Sequence, residues 1–257
     1  MRFSIATYNI HKGFTQMKRR MVIHELREKL QLLGADIVFL QEVLGAHSGH
    51  AERHEDWPSQ PQHEFLADQV WEDVAYGKNA VYRHGHHGNA LLSRFPILST
   101  ENQDISAYAF ESRGLLHCTV RLAPRVPLLH CINVHLGLFE RGRQWQIGTL
   151  CERIAELVPD DEPLIIAGDF NDWRNRASRT LVETLGVAEV FETARGRSAR
   201  TYPSVLPMFR LDRIYVRGLK VLDTRVHYAF PWGRLSDHAA LGATFETLKR
   251  RRATVEP

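Results

Sequence analysis

The chain has 257 residues, 44% hydrophobic and 25% charged, with a formal net charge of +3 at pH 7. That is enough chain for a core burying most of the surface the unfolded form exposes, and it excludes a disordered, repetitive or low-complexity protein. The charge is too slight to predict or exclude a polyanionic partner, three widely spaced cysteines exclude a disulfide framework and a thiolate metal site, and no apolar run reaches the roughly 18 to 20 residues of a membrane span. The start MRFSIATYNI lacks the charged-then-apolar pattern of a leader, so a cytoplasmic protein with one catalytic domain over 1–257 is expected.

Residues 3–8 alternate apolar with small polar side chains and run into NIHKG, which predicts a strand stopping at Asn9 and a turn at Gly13. Val22, Leu26, Leu30 and Leu33 recur at helical spacing before Gly34, and 37–40 form a short apolar strand ending in Gln41 and Glu42. Residues 43–62 carry His47, His50 and His54 with little periodicity. Their spacing matches no familiar metal site, so a solvated loop at a binding face is expected. A short helix near 65–71 and strands at 79–82, 88–93 and 97–105 read as an antiparallel meander.

Two further strands are expected at 115–122 and 128–134, the second ending at His135. Ile147, Leu150, Ile154 and Leu157 mark an amphipathic helix that Pro159 ends. LIIAGDFNDW, residues 164–173, follows: its apolar start suits a strand buried on both faces, and Gly168 opens the backbone before Asp169, Asn171 and Asp172. A short helix at 180–185 and an arginine-rich loop with Arg195, Arg197 and Arg200 come next. Strands are expected at 211–216, with Asp212 near the start, at 224–228, and at 239–245 after the tripeptide SDH. The basic tail, 249–257, reads as a frayed end.

Each polar residue alone has an ordinary explanation as a turn former, a solvated carboxylate or a hydrogen-bonded core histidine. Their combination points further. Asn9, Glu42, His135, Asp169, Asn171, Asp212, Asp237 and His238 all fall at or near the ends of buried strand candidates, and they offer carboxylates, amides and imidazoles without a thiolate. Oxygen donors suit a hard cation such as Mg²⁺ or Mn²⁺, and imidazoles suit phosphate binding or proton transfer, so metal-assisted phosphoester hydrolysis is the reaction class expected.

In order along the chain, TYNI with Asn9, LQEV with Glu42, GNALLSRFP from Gly88, NVHLG with His135, GDFN with Asp169 and Asn171, RLDRI with Asp212, and SDH with Asp237 and His238 resemble the motif set of the endonuclease/exonuclease/phosphatase superfamily. The match spans about residues 7–241. It implies an α/β fold, a four-layer α/β/β/α sandwich of two packed mixed sheets flanked by helices. It also implies metal-shell roles for Glu42, Asp237 and Asn9, water activation for Asp169, an oxygen-holding amide at Asn171, and a proton-handling pair in His238 and Asp212. Which of His238 and Asp169 removes the proton is left open. His135 resembles a phosphate-contacting histidine of the deoxyribonuclease and sphingomyelinase branches, and Arg113 is a weaker phosphate candidate that equally suits a strand-end salt bridge. His11 stands where apurinic endonucleases carry an acid, which argues against DNA repair, and SDHAAL has Ala240 where many relatives carry proline. The NIHKG, GHHGN and GDFNDWR segments resemble uncharacterised bacterial members. The expected substrate is a small or lipid-derived phosphoester such as a lipid head group or inositol phosphate, with DNA or RNA as the alternative and a catalytically silent binding module as the rival from another class.

Overall fold

A computed structural model of the protein describes residues 1–16 and 20–248; the tail at 249–257 lies outside the described residues. In chain order the elements are β1 (Arg2–Asn9), α1 (Ile23–Leu33), β2 (Ile37–His47), α2 (Ser48–Ala51), α3 (Gln62–Ala67), β3 (Asp73–Tyr82), β4 (Gly85–Ser93), β5 (Ile97–Asp104), β6 (Gly114–Val120) and β7 (Leu129–His135). Then come α4 (Glu140–Leu157), β8 (Leu164–Asp169), α5 (Ala177–Leu185), β9 (Ala188–Glu189), α6 (Val190–Arg195), β10 (Asp212–Arg217), β11 (Leu219–His227) and β12 (Ala240–Thr247). Two six-stranded sheets result, ordered β11-β12-β1-β2-β4-β3 and β5-β6-β7-β8-β10-β9. No helix among the described residues is long and apolar enough to cross a membrane.

The layering follows from strands that are apolar on both faces. In β1, Phe3 and Ile5 enter the core between the sheets while Ala6 and Tyr8 pack toward α1. In β8, Ile165 and Ala167 face the other sheet while Leu164 and Ile166 pack with Ile147, Leu150 and Ile154 of α4. A strand with apolar side chains on both faces needs cover on both, and the result is helix, sheet, sheet, helix. The expected four-layer α/β sandwich is therefore observed. Each sheet is built on one parallel pair, β1 with β2 and β7 with β8, and a helix bridges each pair.

Following the inter-sheet face of these strands toward the carboxyl ends of β1, β2, β7 and β8, side chains change from apolar to amide. Alternation puts Thr7, Gln41, Asn89 and Asn133 on that face, all fully buried. Gln41 Nε2 donates to Asn133 Oδ1 (2.8 Å), and Asn133 Nδ2 donates to the carbonyls of Leu40 (2.9 Å) and Ala90 (2.8 Å) in the opposite sheet. Asn89 Nδ2 reaches Gly114 O (3.1 Å) and Asn133 O (3.3 Å). Buried amides need partners, and here the partners lie across the seam, so the two sheets are held in one relative register.

Several expectations are corrected. The meander is split: β3 and β4 belong to the first sheet and β5 to the second, the chain crossing at 94–96, where Ser93 Oγ brackets Phe95 and Pro96 cannot donate. Strands β3 and β11 begin earlier than alternation suggested because register shifts at Lys78/Ala80 and Val221/Asp223 interrupt the period. Segment 43–62 is exposed over much of 51–60, as a solvated loop would be, but its start is regular and its rings are packed. Strand β2 continues to His47, and the rings of Phe14, His47, His50, His54 and Trp57 pack on one another, with His47 and His50 centroids 3.8 Å apart. Imidazoles served there as aromatic packing units, a use that their spacing does not reveal.

Asn133→Ala would leave two buried carbonyls and the Gln41 amide without their partner, so it is expected to destabilise the protein by about 3 kcal/mol, measured by urea unfolding. A loss within about 0.5 kcal/mol of zero would show that the seam does not hold the sheets.

Candidate active site

At the end of the inter-sheet face the amides give way to acids and imidazoles. Asn9, His135 and Asp169 end β1, β7 and β8, Asp212 opens the antiparallel β10, and the register pairs Asp212 with Asp169 and His135 with Asp169. Gly168 is required there: it holds φ of 141°, and a Cβ would come 2.0 Å from Val134 O. The loop before β12 delivers Asp237 and His238, and it is pinned to β1 by Ser236, whose Oγ donates to Asn9 O (2.6 Å) and accepts from His238 N (3.3 Å).

His238 Nδ1 lies 2.8 Å from Asp212 Oδ2, and its Nε2 lies 3.8 Å from Asp169 Oδ2. Asn9 Nδ2 donates to that same Asp169 oxygen (3.2 Å), and His135 Nε2 is 3.5 Å from it. The other Asp169 oxygen accepts from Asn171 N (2.9 Å), and Asn171 Nδ2 donates to Leu136 O (3.0 Å). Asn171 sits at φ 48° and Glu42 at φ 55°, left-handed values uncommon for residues with a Cβ. Glu42 lies in a bulge of β2 between Leu40 and Val43, next to the residue that pairs with Asn9.

The charges are set by burial and by one another. Burial works against a charged His238, yet the adjacent carboxylates of Asp212 and Asp169 prevail and raise its pKa to about 10. Burial pushes the Asp169 carboxyl up, His238 opposes this and Asp212 adds to it, leaving it at about 7. His135 goes the other way: burial, with the Arg113 guanidinium beside it, holds its pKa well below the usual imidazole value, so it is neutral. Burial also raises Asp237, but hydrogen bonding from His11 and the positive character of His238 outweigh it and hold that carboxyl low.

Asn9, His135, Asp169, Asn171, Asp212, Asp237 and His238 therefore lie together, while Glu42 is placed near them only through its neighbour Gln41, which pairs with Asn9. Arg113 makes no strand-end salt bridge among the described residues; its Nη1 lies 3.2 and 3.3 Å from the ring nitrogens of His135, and its buried Nε has no hydrogen-bond acceptor. Asp172 leaves the oxygen cluster and accepts from Arg176 N and Ala177 N, closing the start of α5. Sequence reading noted His11 only as a departure, whereas His11 Nδ1 lies 3.2 Å from Asp237 Oδ1. It missed Tyr202, whose ring centre is 5.1 Å from that of His238. No local pattern marks a tyrosine in a loop, and only the folded loop brings it here.

A buried cluster of acids and an imidazole at the site has donors that could hold a metal ion. Asp169, Asp212 and His238 place ligand atoms within 4.8 Å of one another, Asp212 Oδ1 is buried without a hydrogen-bond donor, and no thiol is near the site. The model of the Endonuclease/Exonuclease/phosphatase family matches residues 6–238. The chain belongs to this family. Its members are generally metal-dependent phosphodiesterases and nucleases. An uncharacterised Escherichia coli K12 protein, YbhP, is 48% identical over 241 residues, covering 94% of this chain and 95% of that one. Among solved structures, a family member from Bacteroides vulgatus aligns with TM-score 0.75 at 17% identity, over 96% of this chain and all of the other. A humanized D. rerio TDP2 aligns with TM-score 0.68 at 20% identity, over 96% and 99%. Both likenesses concern the fold.

The raised His238 pKa ties stability to pH. A group whose folded pKa exceeds its unfolded value contributes stability that is full below the unfolded value, 6.5 here, and lost as pH rises through the folded one, about 10. The stability of metal-free protein relative to His238→Gln is thus expected to be level below about pH 6 and to shrink toward pH 10. Urea unfolding across that range measures it; a difference that grows with pH would contradict the pairing.

Proposed function

We propose that the chain is one catalytic domain that hydrolyses a small or lipid-derived phosphoester, such as a phospholipid head group or an inositol phosphate, with Mg²⁺ or Mn²⁺. The observation that carries this reading is the meeting of Asp169, Asn171, Asp212 and His238 beside His135, acids and imidazoles poised oppositely within one buried cluster. By their likeness to the family's motifs Asn9, Glu42 and Asp237 would hold the cation beside the Asp169, Asp212 and His238 cluster, and it would supply Lewis-acid charge to the phosphate oxygens. Asp169, half ionised near neutral pH, takes the proton of the attacking water. Protonated His238, oriented by Asp212, gives a proton to the leaving oxygen. Asn171 has a second amide N–H available for a phosphate or nucleophile oxygen, and neutral His135 beside Arg113 offers further donors. Three buried, unbridged cysteines suit the reducing cytoplasm in which the reading places the protein.

Nucleic acid is the second substrate class, and the exposed Arg197 and Arg200 favour it. Arg195 does not add to it, because its Nε donates to Thr224 Oγ1 (2.8 Å) and its Nη2 to Thr224 O.

Asp169→Asn is expected to lower turnover of an aryl phosphodiester or phosphomonoester by about 10²- to 10⁴-fold with metal supplied. Wild-type inactivity across a broad phosphoester panel, or full activity of the variant, would favour a silent binding module. Glu42→Gln is expected to weaken Mn²⁺ binding at least tenfold, roughly the loss seen when a ligand's own support is removed. Titration calorimetry reads this directly, and an unchanged affinity would remove Glu42 from the metal shell.

A further inference from the structure

The topology puts two loops beside His238, residues 196–211 before β10 and 228–235 before the SDH segment. Their composition is unusual for a rim around a charged site. Val205, Leu206, Met208 and Phe209 in the first and Tyr228 and Phe230 in the second are exposed, Leu206 by 70% and Phe230 by 78%. The first loop carries Arg197, Arg200 and Arg210 and the second Arg234, and neither contains an Asp or Glu. The loops are tied together and to the site: Ser204 N donates to Asp237 O (2.8 Å) and Ser204 Oγ to Ser236 O (2.5 Å). Between them and α6 and β11 runs a groove of about 800 Å³, whose lining includes Arg197, Arg200, Arg210, Leu206 and Tyr228. The buried Arg210 Nε has no acceptor, and the Arg234 guanidinium lies 5.4 Å from the Phe230 ring centre.

We propose that these two loops form a docking surface for an anionic phospholipid bilayer, with the apolar tips entering the acyl boundary and the groove arginines taking headgroup phosphates. The proposal rests on the phosphoester reading for its substrate, which it narrows to a phospholipid met at the membrane surface. Three features select this occupant. Exposed aliphatic and aromatic tips gain free energy only when removed from water, which a free phosphate in the groove does not achieve. Arginines flanking those tips without any carboxylate complement a surface that is uniformly negative at phosphate depth and apolar beneath it. Beside the exposed rings of Phe209, Tyr228 and Phe230, the equally exposed Val205, Leu206 and Met208 are aliphatic, which suits an acyl boundary and gives a base nothing to stack upon.

The test is sedimentation of the full chain, in chelator and without any hydrolysis readout, with vesicles of phosphatidylcholine alone or mixed with phosphatidylglycerol. Binding to the mixed vesicles is expected to exceed binding to the neutral ones. The double variant Leu206→Ser, Phe230→Ser should lower partitioning at least about tenfold, and Arg197→Gln and Arg200→Gln by about fivefold each. Leu32→Ser, exposed on α1, should bind as wild type. Matching circular dichroism and thermal unfolding establish that the variants are folded. Absence of vesicle binding, binding indifferent to the tip and arginine changes, or abolition of binding by millimolar inorganic phosphate would overturn the proposal. So would tight duplex DNA binding lost in the same arginine variants together with no preference for anionic vesicles. Hydrolysis of a soluble aryl phosphodiester without vesicle binding would sink the docking surface alone, and vesicle binding by a protein inactive on every phosphoester would sink the catalytic reading alone.

Discussion

Everything at the site depends on how the two sheets are keyed together through the Asn133 amide. A sandwich with a purely apolar seam gains the same burial in many relative placements, because the hydrophobic effect has no direction. The Gln41–Asn133–Asn89 hydrogen bonds do have direction, and they are made where water cannot replace them. Shifting one sheet along the other would strand several buried amides at once. The cost of that shift is what brings Asn9 of one sheet within hydrogen-bond distance of Asp169 of the other.

The same logic explains the order of side chains toward the site. Apolar residues fill the middle of the inter-sheet space, amides follow, and ionisable groups come last, where solvent and an anionic substrate meet the ends of the strands. Ionisable groups at that depth are still poorly solvated, and so they titrate far from their ordinary values and in opposite senses. His238 holds its proton because two carboxylates face it, His135 loses its own through burial and the guanidinium of Arg113, and Asp169 is balanced between burial and His238. Three groups of ordinary chemistry thereby acquire distinct protonation states at one pH, the condition for separating proposed acid and base roles.

Backbone irregularity is concentrated at this end as well. His11, Lys12, Glu42 and Asn171 all take positive φ. The rim loops add a second contrast, carrying large apolar residues into solvent next to a polar centre. That exposure adds no stability to the fold in water.

Much of this protein was legible in its sequence. Apolar runs such as IVFL and LIIA require cover on both faces, which yields layered sheets, and the polar residues that end those runs mark the site because period-two alternation carries them to the same rim. Asn9, His135, Asp169 and Asp212 were visible for that reason. Other features were decided only by tertiary structure, since they depend on partners distant in sequence. Residues Gln41 and Asn133 read as ordinary polar side chains until the opposite sheet supplies their bonds, and the bulge at Glu42 breaks the alternation that would otherwise locate it. His11, Tyr202 and the histidines at 47, 50 and 54 acquire their roles from loops whose paths no local period encodes. Sequence periodicity reports which face of an element a side chain occupies; which faces meet is set by packing and by long-range hydrogen bonds, and that only the folded chain contains.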